Sequence, residues 1–170
     1  MKTKLNPRAF TAKHESAHRV YEWISHQICG KISIQSRQDY EGICSSYLST
    51  DSESFENNTL TPQRVYRLMA GRAAIEAYFP DLDQAGTYRS DFEAIKNLKS
   101  DDETMLAMHQ WRSDHPDGDV EDFYHAFKQP VIAMFKSKQC KRAFNALCKA
   151  LLKAGHLSGR ESVRILEEAW

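Results

Sequence analysis

An inward-facing stripe at intervals of three and four runs through Phe10, His14, Ala17, Tyr21, Ile24 and Ile28 and predicts an amphipathic helix. Asn6-Pro7 supplies its start, because asparagine caps well and proline fits the first turn without losing a needed donor. The helix is expected to run to about Cys29 and stop at Gly30, with Lys13, Arg19 and Glu22 facing water. The period then changes to two. "KISIQS" (31–36) and "GICSSYLS" (42–49), joined by the turn-like "RQDYEG", predict a short antiparallel strand pair. After the polar loop "TDSESFENN" (50–58), Thr61-Pro62 opens a second helix that carries Val65, Leu68, Met69, Ala73 and Phe79 and ends at Pro80. Its small residues Gly71, Ala73 and Ala74 suit a helix pressed against a neighbour. A third helix is expected from near Ser90, with Phe92, Ile95, Leu98, Met105 and Met108 inward, and "SDHPDGD" (113–119) then breaks the pattern. A long helical stretch over 120–154, bent at Pro130, ends at Gly155. Ser158 and Glu161 have capping-box spacing and start a last helix to about Ala169. The expected fold class is therefore α+β, mainly α-helical, with a small sheet near the N-terminus and one domain over 1–170.

Composition narrows the partners. A chain of 170 residues with 41% hydrophobic and 27% charged residues can bury a core without staples. Its 23 basic and 23 acidic residues balance, so no bulk field favours nucleic acid or anionic lipid. No apolar run approaches the roughly 20 residues that cross a bilayer, and "MKTKLNPRAF" has no apolar signal region. No membrane insertion and no nucleic acid are expected. Cys29, Cys44, Cys140 and Cys148 lack any framework spacing and read as reduced thiols of a cytoplasmic protein.

The candidate chemistry lies in the first helix. In "FTAKHESAHRVYEW", His14 and His18 stand one helical turn apart with Glu15 directly after the first. Two imidazoles at that spacing can meet one zinc ion, with the adjacent carboxylate placed to act as general base toward a water molecule. The pattern also arises by chance, so a third ligand matters. Tyr21 and Ile24 stand where a glycine and a third histidine would continue the pattern, which removes that option. Glu76 on the second helix and Asp91 at the head of the third remain as candidates. His26, His109, His115, His125 and His156 share no ligand spacing.

Four stretches together carry a family resemblance. "TAKHESAH" resembles the zinc helix of the peptidase domain of the FtsH family of AAA proteases, and "LMAGRAAIEAYF" (68–79) resembles that family's glycine-arginine-alanine-alanine helix. "AGTYRSDFEAI" (85–95) is similar to the segment whose aspartate is the family's third ligand, and "NALCKALLKAGHLSGRESVRIL" (145–166) to its C-terminal helical pair. The blocks occur in the family's order across most of the chain, apart from about Ser100 to Lys136.

The resemblance implies a zinc-peptidase-like helical domain with Zn2+ held by His14, His18 and Asp91, and with Glu15 as catalytic base. It implies a metalloendopeptidase acting on flexible or unfolded polypeptide, with the strand around 42–49 beside the cleft. Ser16, Ala17 and Ile75 depart from the family's usual residues without removing a ligand or the base. The family's ATPase is missing, since no GxxxxGK[ST] phosphate loop occurs. The expected partners are therefore a polypeptide substrate, an ATPase unfoldase acting in trans, and further copies of the chain in a homo-oligomer. The alternative is a catalytically inactive peptidase-like module that binds zinc or another protein.

Overall fold

The computed structural model describes residues 6–34, 43–47, 62–80, 110–118 and 120–170. Mainly helical, these residues comprise α1 (Pro7–Ile24), β1 (Ile28–Ser33), β2 (Ile43–Tyr47), α2 (Pro62–Tyr78), α3 (Val120–Phe127), α4 (Gln129–Phe135), α5 (Lys138–Ala154), β3 (His156–Leu157) and α6 (Gly159–Ala169). No described helix is long and apolar enough to cross a membrane. The third helix expected near Ser90, and Asp91 with it, lie outside the described residues, as does the turn 37–42.

Helix α1 begins as its sequence predicts: the Asn6 side chain accepts from the Arg8 amide at 2.9 Å, with Pro7 in the first turn. Its end is earlier than the stripe suggests. Ser25 caps it, His26 takes a left-handed φ of 57°, and the next amide, of Gln27, reaches back to the Glu22 carbonyl at 2.8 Å. With His26 donating to Trp23 at 3.1 Å, this is a Schellman stop that uses histidine where glycine is usual. Ile28, Cys29 and Gly30 thereby join β1 rather than the helix.

The antiparallel pairing of β1 with β2 follows the expectation, running from Ile28 opposite Tyr47 to Ser33 opposite Ile43, with an irregularity between Cys29 and Ile32. β3 adds a third, antiparallel strand on the other side of β1, giving the order β2-β1-β3. Two residues are too few for an alternation to signal, so the sequence does not announce it. The stretch 120–154 is divided into three helices rather than bent once. Pro130 stands in the first turn of α4, and Ser137 caps α5 by accepting from Cys140 at 3.1 Å. Gly155, at φ 79°, ends α5, and the Ser158–Glu161 capping box starts α6 as the spacing predicts.

Helix α1 is the hub: it packs against α2, α5, α6, β1 and β2. The core around it contains Ala17, Val20, Ile32, Met69, Phe135, Phe144, Leu147, Leu151 and Leu166, all fully buried. Ala70, Gly71, Ala73 and Ala74 are buried on α2 and let the two helices approach closely. Cys29, Cys140 and Cys148 are free thiols, and burial pushes Cys140 and Cys148 up to about 11, keeping them protonated and inert.

Candidate metal centre

His14 and His18 project from one side of α1 toward α2. Their Nε2 atoms stand 2.9 Å apart, with the rings edge to face at 4.5 Å between centroids. Two nitrogens bound to one tetrahedral zinc stand roughly 3.3 Å apart, so about 0.2 Å of movement per ring accommodates the ion. His18 is nearly buried. Its Nδ1 lies 2.7 Å from the main-chain carbonyl oxygen of Arg67. A carbonyl only accepts, so Nδ1 carries the proton and the Nε2 lone pair faces His14. Metal-binding imidazoles are usually held in this way, with one nitrogen tied to the protein and the other turned toward the neighbouring ligand.

His14 is fixed by packing. The Phe10 ring stacks over it at 6.5 Å, and α2 approaches it at Gly71. A Cβ at position 71 would lie 2.2 Å from His14 Nδ1 and Cε1, so any side chain there displaces the ring. Gly71 and Arg67 are one turn apart on α2, as His14 and His18 are on α1. The helices therefore run antiparallel, His14 opposite Gly71 and His18 opposite the Arg67 carbonyl. The sequence marks Gly71 only as small. It carries no sign of the Arg67 carbonyl, since every residue type has one.

Glu15 is 7% exposed, one step round α1 from His14. Arg19 and Glu22, expected in water, are instead fully buried and paired, Nη1 to Oε2 at 3.0 Å. Polarity misleads there because a buried charge with a buried partner reads in sequence like a solvated one. Lys13 lies 3.8 Å from the centroid of the Phe79 ring.

The two candidates for the third ligand fare differently. Glu76 is five residues beyond Gly71, which turns it roughly 140° away from the His14 side of α2. There its carboxylate accepts from Tyr124 Oη at 2.9 Å and from Lys128 Nζ at 2.6 Å. Burial alone would push the Glu76 carboxyl up, but the Lys128 and Tyr124 hydrogen bonds and the Arg72 charge outweigh it and hold the group below the usual carboxylate range. Glu76 is thus committed to a cluster with α3, where Arg72 pairs with Glu121 and lies over the Tyr124 ring. Asp91 lies outside the described residues. Among the described residues, no three His, Cys, Asp or Glu side chains converge as a complete metal-binding group. The chemistry of the described pair fits two of zinc's ligands. Compared with models of known protein families and with curated proteins, the chain matches none.

Proposed function

We propose that the chain is a zinc-dependent metalloendopeptidase that hydrolyses peptide bonds in flexible or unfolded polypeptide. The observation that carries the reading is the His14–His18 pair, whose Nε2 atoms converge at 2.9 Å while His18 Nδ1 is tied to a backbone carbonyl. A chance pair of surface histidines has no reason to have one ring oriented from a second helix and the other housed against a glycine. In this reading His14, His18 and Asp91 hold Zn2+, and the site belongs to a peptidase domain of the FtsH type.

A bound zinc ion supplies a Lewis acid that polarises the scissile carbonyl and makes water acidic enough to lose a proton near neutral pH. In this reading Glu15 accepts that proton and returns it to the leaving amine. Glu15 is buried, which limits competing water around it. The substrate is a polypeptide, met already unfolded or delivered by an ATPase unfoldase in trans, in the cytoplasm.

Glu15→Gln keeps the shape and the hydrogen-bonding reach of the side chain but removes the base. The zinc-loaded wild type is expected to cleave casein, and Glu15→Gln to keep its zinc while losing at least a hundredfold in rate. A wild type that holds zinc but leaves casein and other unstructured substrates intact would overturn the peptidase reading and favour a binding module on the same fold.

A further inference from the structure

Behind His18, three charged side chains form one buried group. Glu22 Oε2 pairs with Arg19 Nη1 at 3.0 Å and Glu22 Oε1 accepts from Arg67 Nε at 2.5 Å. Arg19 and Glu22 are fully buried, and Arg67 is about one-fifth exposed. Arg19 Nη2 also donates to the Gly30 carbonyl at 2.7 Å, in the irregular part of β1. The group therefore joins α1, α2 and β1.

Stability alone explains it poorly. Buried ions lose their hydration, and well-packed apolar side chains of similar volume hold helices together as well or better. What an ion group adds is register, because its geometry is satisfied in only one alignment of the helices. Here that register has a consequence. Arg67 meets α1 twice, through its carbonyl at His18 and through its guanidinium at Glu22, one turn further along. A slip of α2 by one residue turns it roughly 100° and shifts it about 1.5 Å. The Arg67 carbonyl then leaves His18, and a neighbour of Gly71 meets the His14 ring.

We infer that Arg19, Glu22 and Arg67 are positioning residues for the metal centre. They lock α2 onto α1 in the one register that orients His18 and leaves room for His14. None of the three touches the ion or the substrate. The inference rests on the zinc reading of the histidine pair and adds to it a part of the molecule that sets metal affinity from a distance.

The test is zinc affinity by chelator competition on the whole chain, measured beside thermal stability. Glu22→Gln keeps the volume and removes the charge. Arg67→Met keeps the main-chain carbonyl at a partly exposed position while cutting the same pair, so the test does not depend on Glu22→Gln folding. Ser158→Ala, which removes the α6 cap, serves as a destabilised control remote from the histidines. Both network variants are expected to bind zinc about tenfold more weakly than wild type, the lower end of what outer-shell partners contribute. Their cobalt-substituted forms should show an altered visible spectrum, and Ser158→Ala should bind like wild type. Zinc affinity within twofold of wild type in both variants, with stability falling as in the control, overturns the inference and leaves the histidine site standing. A wild type that binds no zinc overturns the site itself, and the inference with it.

Discussion

Gly71 fixes how closely α2 approaches the His14 ring, and a single methyl group tests it. With the Cβ position 2.2 Å from the imidazole, Gly71→Ala must move the ring or part the helices. Overpacking of this kind costs about 1–3 kcal/mol. Chelator competition on Gly71→Ala should also show at least tenfold weaker zinc binding, whereas unchanged affinity would mean that His14 is not a ligand. The third ligand is decided by two further substitutions. Asp91→Asn should weaken zinc strongly, while Glu76→Gln should leave it alone, because both Glu76 oxygens serve Tyr124 and Lys128. Glu76→Gln should instead affect stability. Its carboxyl is held below its ordinary value of 4.5, so its contribution is present above that pH and is lost as pH falls through the folded-state value. Urea unfolding should show the variant weaker by up to ~1 kcal/mol at pH 7, with the difference gone in strong acid. At this scale the histidines and glutamate are legible in the chain because their spacing is local. The partners that orient them are not, since Arg67 acts through its backbone and lies on another helix.

At the scale of elements, caps written in side chains are readable and caps written in backbone are less so. Asn6-Pro7 and Ser158–Glu161 declare their helix starts, and both are used. The stop of α1 hides because His26, not glycine, adopts the left-handed conformation, so the stripe in the sequence continues through Ile28. An L-residue with a Cβ pays for that conformation, which gives a direct prediction. His26→Gly should raise the stability of this exposed corner by roughly 0.5–1 kcal/mol, measured by urea unfolding at neutral pH. A loss would mean that the His26 side chain makes a contact worth more than the strain. The same limit explains why 120–154 reads as one bent helix. Of its two interruptions, the one at Lys128 keeps helical dihedrals just before Pro130 and the one at Ser137 is a side-chain cap, so both lie inside a continuous helical periodicity.

At the scale of the whole molecule, the helix that carries His14, Glu15 and His18 is also the hub of the packing among the described residues. The histidine face of α1 meets α2, its other contacts run to α5, α6 and the sheet, and the buried Arg19–Glu22–Arg67 group sits where three elements join. Mainly helical architecture with a small sheet follows from the hydrophobic pattern, because long amphipathic stretches dominate this chain. The close approach of α1 to α2 is foreshadowed only by the small residues of "AGRAA" (70–74). A metal held by α1 would stiffen the centre of the fold rather than its edge, so binding and stability should be strongly linked. The most direct measurement is therefore a zinc titration of the metal-free chain, followed by thermal denaturation. One equivalent should bind, and free zinc at 100 times Kd should stabilise by about 2.7 kcal/mol, raising Tm by roughly 5–11 °C. Both effects should vanish in the double variant His14→Ala, His18→Ala. No binding by the wild type, or undiminished binding by the double variant, would contradict the account.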